Sequence, residues 1–210
     1  MDNPAYTDSM NRLIGEFARL PGIGRRTAER LAFHVLKTEP EIALQLARAI
    51  EDVKSNVRHC SACFNLTETD PCPICRAAEA GRRNPRRILV VEQPKDLLSL
   101  EDTGVYDGVY HVLLGHLAPL EGVTPDDLTV GPLVDRVGRL AADGQTVEVI
   151  LGTNPNLEGD GTALHVAERL AGIDHVQVTR LARGLPAGSQ LEYANKSVLS
   201  DAITSRQMMG

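Results

Sequence analysis

The chain has 210 residues and a formal net charge of −6, from 22 basic against 28 acidic side chains. Hydrophobic residues make up 42% and charged residues 24%, a globular mixture that excludes a wholly disordered, collagen-like or coiled-coil protein. Aromatic residues make up 3% and tryptophan is absent, which disfavours a nucleic-acid site built on stacked aromatic rings.

The charge is distributed unevenly along the chain. Residues 1–87 carry 14 basic and 11 acidic side chains, a balance of +3, and residues 88–210 carry the remaining 8 and 17, a balance of −9. The first part is suited to phosphates, and the second to a cation or a basic partner. No apolar run approaches the roughly 18 residues of a membrane span, and no secretory pattern opens the chain. We therefore expect a cytoplasmic protein without a membrane partner.

Apolar residues recur at helical spacing in three N-terminal segments. The segments cover residues 10–20, 28–36 and 42–57. A Pro-Gly-Ile-Gly string separates the first two, and Pro40 separates the last two. The pattern predicts a helical domain over residues 1–58, in which the stripe of the first helix either forms core or contacts another subunit.

The turn between the first two helices has a composition that suits phosphate binding. Gly22 and Gly24 permit backbone conformations closed to other residues, which frees amides at the positive end of the second helix. Arg26 and Arg30 are four residues apart and share a face, and Arg25 extends this basic edge. The string resembles the helix-hairpin-helix motif, which implies sequence-independent contact with DNA phosphates. An ordinary helical hairpin with a solvated charged face is the alternative.

All four cysteines fall within sixteen residues. Cys60, Cys63, Cys72 and Cys75 form two C-x2-C pairs, an arrangement that structural Zn²⁺ selects. Two disulfides are disfavoured in a cytosolic chain. Four thiolates fill the tetrahedral shell and leave no position for an activated water, so we predict a structural zinc finger over residues 59–80 that folds on the metal.

Beyond the cysteines the pattern changes to alternating strands and helices. Residues 81–87 are rich in arginine, with a glycine and a proline, and are interpreted as an exposed connector. Strands are predicted at residues 88–92, 109–114, 146–151 and 175–179, and helices at residues 94–100, 134–142 and 161–170. The alternation predicts an α/β domain over residues 81–180 with a mostly parallel sheet, followed by a C-terminal segment over residues 181–210.

Two features of this α/β region, one residue and one tripeptide, resemble the metal-binding positions of the Toprim domain of topoisomerases, primases and nucleases. They are Glu92, at the end of the first strand, and Asn154-Pro155-Asn156, after the third. In Toprim enzymes the glutamate and an Asp-Pro-Asp string hold Mg²⁺, but here two neutral amides stand in place of the aspartates, so Mg²⁺ binding is expected to be weak or absent. Glu92, Glu158 and Asp160 remain as anions, and we interpret them as a rim for partner binding or a vestigial Mg²⁺ site. A solvated acidic loop without a partner is the alternative.

The order of these parts, helix-hairpin-helix, four-cysteine zinc finger and Toprim domain, resembles the RecR family of bacterial recombination proteins. The resemblance covers nearly the whole chain and implies an α+β multidomain protein. It also implies a non-enzymatic mediator of recombinational DNA repair, associated with the nucleoid, which acts with RecO and RecF to load RecA onto gapped DNA coated by single-strand-binding protein. Family members form dimers or ring-like tetramers, with the N-terminal helices and the C-terminal segment supplying subunit contacts.

Two other classes of function compete with this interpretation. The first is a Mg²⁺-dependent nuclease or a topoisomerase-like enzyme that uses the Toprim site, and it requires carboxylates that the chain lacks. The second is an RNA-binding zinc protein, which the scarcity of aromatic residues disfavours. No Gly-x4-Gly-Lys-Ser/Thr string is present, so no phosphate-binding loop for ATP is predicted. Without such a loop, we assign no role in nucleotide binding or hydrolysis to Leu191–Tyr193.

Overall fold

The computed structural model describes residues 5–188, 190–206 and 208, and it confirms the predicted mixture of a helical N-terminal part, a zinc finger and an α/β part. By internal packing the chain divides into two compact units, Met1–Val57 and Arg58–Gly210. The second unit therefore holds both the cysteines and the sheet. The finer boundaries at residues 80 and 180 remain predictions.

The N-terminal unit consists of three helices: α1 (Asp8–Ala18), α2 (Arg25–Lys37) and α3 (Pro40–Asn56). Helix α1 begins after Thr7, whose hydroxyl accepts a hydrogen bond from the Met10 amide at 3.4 Å. The core of the unit is small and lies where α1 meets α2, around Ile14, Ala28 and Ala32. The apolar stripe of α1 thus forms core, which is one of the two roles the sequence left open.

The C-terminal unit begins with a β-hairpin and continues as alternating strands and helices. Its elements in chain order are β1 (Arg58–His59), β2 (Leu66–Thr67), α4 (Pro73–Glu79), β3 (Asn84–Val91), α5 (Pro94–Glu101), β4 (Gly108–Val112), α6 (Val130–Ala141), β5 (Val147–Leu151), α7 (Leu157–Leu170), β6 (Val176–Arg180) and α8 (Lys196–Thr204). Short 3-10 turns lie at Pro119–Glu121, Pro125–Asp127 and Leu191–Tyr193. The four strands and three helices predicted for the α/β part are confirmed, with ends displaced by a few residues.

The four longer strands form one sheet in the order β4-β3-β5-β6, and every pairing is parallel. Successive side chains of the central strand β3 point to opposite faces of the sheet, so Ile88 and Val90 join one buried cluster while Leu89 and Val91 join the other. All strands run in the same direction, and their carboxyl ends therefore meet at one edge. Glu92 and Asn154 follow β3 and β5 at this edge.

The prediction of an exposed connector over residues 81–87 is only partly right: residues 81 and 82 are exposed, but strand β3 begins at Asn84. Three of the four arginines in this segment, Arg83, Arg86 and Arg87, are partly buried and paired with carboxylates. The Arg86 guanidinium also donates to the Leu140 carbonyl oxygen at 2.6 Å. The carboxylate partners are Glu101 for Arg83, Asp143 for Arg86, and Asp107 and Glu148 for Arg87. These carboxylates lie far away in sequence, so local composition gave no sign of the pairing.

None of the helices formed by the described residues is both long and apolar enough to cross a bilayer.

Candidate functional site

The hairpin turn between α1 and α2 directs the N-terminus of α2 outward from the turn's two glycines. Gly22 takes a left-handed conformation with φ of 78°, and the Ile23 amide donates to the Leu20 carbonyl at 3.0 Å, which closes the turn. Ile23 packs against the N-terminal core. Gly24 is the N-cap of α2 and has no side chain, and the first backbone bond of the helix runs from the Ala28 amide. The amides of the first turn are therefore left without intrahelical acceptors.

Of the three arginines predicted to contact phosphate, two are not neutralised by an ion pair with a described residue. Arg25 forms an ion pair with Glu29, with 3.4 Å between Nε and Oε1. Arg26 and Arg30 are exposed and form no ion pair with any residue in the described part of the chain. The positive end of α2 and two free guanidinium groups thus lie beside the same turn, an arrangement that attracts a phosphate.

The four cysteines form a compact buried cluster. Their sulfur atoms all lie within 4.8 Å of one another, and a tetrahedral site with Zn–S distances of about 2.3 Å separates its sulfur atoms by roughly 3.8 Å. Cys60 and Cys63 lie in the turn between β1 and β2, Cys72 is the N-cap of α4, and Cys75 lies in its first turn. Phe64 takes a left-handed conformation, and its amide donates to the Cys60 carbonyl at 2.9 Å. This hydrogen bond closes the turn that holds Cys60 and Cys63, which we call the zinc knuckle. The cluster is a structural Zn²⁺ site, as the sequence predicts.

The zinc finger is joined to the edge of the parallel sheet. The Val112 amide of the edge strand β4 donates to the Cys63 carbonyl at 2.8 Å. The zinc knuckle therefore satisfies one backbone donor on the outer side of the edge strand. The Phe64 ring packs edge-on against His111, with 5.3 Å between ring centroids. Burial lowers the pKa of His111 to about 4, so this ring is neutral near pH 7. Sequence analysis predicted the zinc finger but gave no signal for this contact.

Glu92 is held by hydrogen bonds in place of a metal ion. Its side chain is 3% exposed, and its two oxygens accept from the backbone N and the side-chain Nδ2 of Asn154, both at 2.7 Å. The ring of His116 lies 3.3 Å from Oε2. Asn156 is the N-cap of α7 and accepts from the Gly159 amide at 2.8 Å. These residues do not fit Mg²⁺, because Asn154 points N–H donors at the buried carboxylate of Glu92 and Asn156 caps the helix.

The structure does not bring the three predicted anions together on one acidic surface. Glu92 is buried, and Asp160 accepts hydrogen bonds from both Arg180 and Arg183. The bond from Arg183 is the main reason that the pKa of Asp160 lies below its usual range. Glu158, in the first turn of α7, remains exposed without an ion pair among the described residues. The negative charge exposed at the carboxyl edge of the sheet is therefore smaller than the number of acidic residues indicates.

Replacing Asn154 with aspartate is expected to lower stability and create a dependence on Mg²⁺. The change removes a donor to Glu92 and puts a second negative charge beside it, at a cost of roughly 2–4 kcal/mol. We expect a melting temperature several degrees below that of the wild type, partly restored by millimolar Mg²⁺. Asn156→Asp is the control, since aspartate caps a helix as well as asparagine does. An Asn154→Asp protein as stable as wild type without Mg²⁺ would contradict this interpretation of the site.

Three family profiles match the chain in the order of its structural parts. The RecR helix-hairpin-helix profile matches residues 10–54, the RecR four-cysteine zinc finger profile matches residues 57–77, and the Toprim domain profile matches residues 86–182. A hairpin of this kind, a structural zinc site and a Toprim domain together define a DNA-binding protein of recombination and repair.

Curated relatives resemble the chain over nearly its full length. Recombination protein RecR of Rhodopirellula baltica is 49% identical over 204 residues, covering 97% of this chain and 98% of the relative. Recombination protein RecR of Chloroflexus aggregans is 50% identical over 196 residues, covering 93% and 92%. The chain belongs to the RecR family.

Proposed function

We propose that this protein is a non-enzymatic mediator of recombinational repair that acts with RecO and RecF. In this role it binds DNA backbones at the nucleoid and helps to load RecA onto gapped DNA coated by single-strand-binding protein. The observation that carries the proposal is the hairpin turn, where Arg26 and Arg30 form no ion pair with any described residue and belong to the first two turns of α2, at the positive end of its dipole. Backbone amides and arginines contact phosphates without reading bases, which suits a protein that acts at any gap.

Charge arithmetic indicates that one hairpin alone binds DNA weakly. Two arginines neutralise about two phosphates, and each neutralised phosphate of B-DNA contributes about 0.9 to the salt slope of the binding constant. Weak contacts become effective when several of them act on one DNA molecule, because each further contact forms at a high effective concentration. The proposal therefore includes a self-assembly, a dimer or a ring-like tetramer, that carries several hairpins.

Helix α3 supports this self-assembly. None of its residues, all of which the structure describes, is buried. Its apolar side chains recur at helical spacing and leave a stripe in contact with solvent. The members of this α3 stripe are Ile42, Leu46, Ile50 and Val53, exposed by 58%, 48%, 58% and 57%. A stripe of this size on an isolated chain marks a protein contact, and a second copy of the chain is its proposed occupant.

Placing two charges on the α3 stripe is expected to dissociate the assembly. In Ile50→Asp with Val53→Asp, each aspartate would have to be buried in the subunit contact, at a cost of several kcal/mol for the pair. Light scattering should then give the mass of one 22.7 kDa chain or of a smaller assembly than wild type. Ser55→Asp, which adds a charge on the face of α3 opposite the stripe, should leave the mass unchanged. An unchanged mass in the double variant would contradict the role of the stripe.

The Toprim edge supports a role without catalysis. Toprim chemistry uses carboxylates around Mg²⁺, and here the buried Glu92 accepts both of its strong hydrogen bonds from Asn154. The exposed Glu158 remains available for contact with a basic surface of a partner protein such as RecO. We propose that this edge, within a Toprim domain spanning residues 81–180, serves partner binding, and that residues 181–210 contribute to subunit contacts.

A loading assay tests the proposed function. Gapped circular DNA is coated with single-strand-binding protein, and assembly of RecA is followed by its DNA-dependent ATP hydrolysis with and without this protein and RecO. We expect the two proteins together to shorten the delay before hydrolysis begins. The Arg26→Ala, Arg30→Ala protein should shorten it far less, because its affinity for DNA is lower. An unchanged delay with wild-type protein would contradict the proposal.

A further inference from the structure

The two edges of the parallel sheet differ in how they are covered. Strand β4 lies at one edge and β6 at the other. All five residues of β4 are buried, whereas no residue of β6, all of which the structure describes, is buried. An edge strand also carries backbone N–H and C=O groups that point away from its one neighbour, and these groups need other partners or water. The two edges differ in these partners as well.

The outward backbone groups of β4 are hydrogen-bonded within the C-terminal unit. The carbonyl oxygens of Gly108 and Tyr110 each accept from an arginine side chain, at 2.9 and 2.8 Å. The Val112 amide donates to the zinc knuckle at 2.8 Å, and its carbonyl oxygen accepts from the Thr129 hydroxyl at 2.7 Å. A further strand could pair with this edge only by breaking these bonds, so β4 closes its side of the sheet.

The outward backbone groups of β6 have no such partners among the described residues. The Val147 amide of β5 donates to the His175 carbonyl at 2.9 Å, and in a parallel pair every second residue of an edge strand bonds to its neighbour. The odd-numbered residues therefore face β5, and Val176, Val178 and Arg180 direct their N–H and C=O groups outward. Within the described part of the chain, no residue forms a hydrogen bond with these outward groups.

The side chains of β6 do little to prevent another strand from pairing with it. Val176 and Val178 are half-buried and pack against the larger apolar core of the sheet. Proline and lysine, which commonly protect exposed edges, are absent from the strand, and its one charge, on Arg180, is paired with Asp160. An apolar strand with an unprotected edge is a template for the addition of a further strand.

The sequence of β6 is suited to a second copy of itself in the antiparallel direction. With a two-fold axis at Val178, this residue faces its own counterpart, and Val176 faces Arg180 of the second copy. Each facing pair of outward residues exchanges two hydrogen bonds, and a shift of register by two residues loses one pair. Between these pairs, the Gln177 amide lies opposite the Thr179 hydroxyl, and no two like charges face each other.

We propose that β6 pairs with the β6 of a second copy, antiparallel about Val178, so that the two four-stranded sheets form one continuous sheet. The proposal rests on the proposed self-assembly and adds a second contact to it. The α3 stripe lies in the N-terminal unit and β6 in the C-terminal unit, and each contact is its own counterpart across a two-fold axis. One such contact gives a dimer, and two separate ones on the same chain allow a larger closed assembly such as a tetramer.

Light scattering of the full-length protein with Val178→Pro tests the contact. Proline removes the outward N–H at the centre of the pairing and leaves the bonds between β5 and β6 in place, because edge strands tolerate proline where the N–H points to solvent. We expect the mass to fall about twofold, both in the wild-type background and in Ile50→Asp with Val53→Asp. Val178→Thr is the control, since it also replaces the valine side chain but keeps the N–H, and its mass should be unchanged.

Disulfide formation tests the register without a proline. Gln177→Cys protein and Thr179→Cys protein are co-expressed and held in a glutathione buffer. Facing residues of the pair come within reach of a disulfide, whereas two copies of residue 177 do not. We therefore expect disulfide-linked dimers to be about fivefold or more as abundant in the co-expressed mixture as in either variant alone. The four native cysteines are the same in all three samples.

Two results would overturn the proposal. The first is an unchanged mass of folded Val178→Pro in both backgrounds. The second is a co-expressed mixture that cross-links no better than the single variants, and it applies even if Val178→Pro does not fold. An α3 variant with the mass of the wild type, beside a Val178→Pro protein of half the mass, would instead reject the α3 stripe and retain the β6 contact. None of these measurements involves DNA, so a failure of DNA binding at the hairpin is distinguished from a failure of this contact.

Discussion

Replacing Arg26 and Arg30 together with alanine is expected to lower the affinity for duplex DNA by roughly two orders of magnitude at low salt. Both side chains are exposed and unpaired in the described structure, so their charge acts on DNA rather than on the protein. The loss should be the same for different sequences, because phosphate contacts do not read bases. The slope of log K against log salt should become shallower by about 2 for each hairpin engaged. Anisotropy of labelled duplexes across a salt series measures both quantities.

A double variant with the same change in charge provides the control. Arg12→Ala with Arg48→Ala removes two exposed arginines from α1 and α3, away from the turn in sequence. It should change the affinity much less and leave most of the salt slope in place. Equal losses in the two double variants would mean that overall charge, rather than the hairpin, attracts DNA.

Removing the zinc ion is expected to destabilise the parallel sheet as well as the zinc finger. Cys63→Ser leaves three thiolates for the metal, and structural zinc sites supply on the order of 10 kcal/mol of folding free energy to their modules. The Cys63 carbonyl accepts from Val112 of the edge strand β4, so unfolding of the knuckle exposes that edge. We expect the main melting transition to fall by roughly 10 °C or more, and the protein to aggregate on the exposed edge.

The zinc content of each variant shows whether the metal causes this change. Wild-type protein and His59→Ala should each carry one zinc per chain, because His59 lies beside Cys60 but outside the cysteine cluster. Cys63→Ser should lose most of its zinc together with its stability. A zinc-free Cys63→Ser protein with the same melting temperature as the wild type would show that the stability of the sheet does not depend on the zinc knuckle.

Local sequence patterns predicted the parts of this fold that depend on neighbouring residues. Helical spacing located α1, α2 and α3, and the two C-x2-C pairs located the zinc site, because each of these features is built within one short segment. Buried runs such as Ile88–Val91 located the parallel strands, which are covered on both faces. The substitution of asparagine at position 154 also indicated, from sequence alone, a Toprim site unsuited to Mg²⁺.

The features that the sequence did not predict depend on pairs of residues far apart in the chain. Arg86 looked like part of an exposed connector, but its partner Asp143 lies 57 residues away. Asp160 was predicted as part of an acidic rim, but it pairs with Arg180, which ends β6, and with Arg183, which follows it. A carboxylate keeps its surface charge only if no distant cation neutralises it, and this is decided by the tertiary fold.

The most direct test of the account is whether the protein, while bound to DNA, leaves every strand intact. Supercoiled plasmid is incubated with saturating protein and millimolar Mg²⁺ for several hours, deproteinised and separated on an agarose gel. In the deproteinised samples we expect supercoiled DNA throughout. Untreated halves of the same samples, run on the same gel, should show a retarded plasmid band that Arg26→Ala with Arg30→Ala abolishes. Nicked or relaxed plasmid that requires Mg²⁺ and disappears in Glu92→Ala would contradict it, because the Toprim edge would then be an active site.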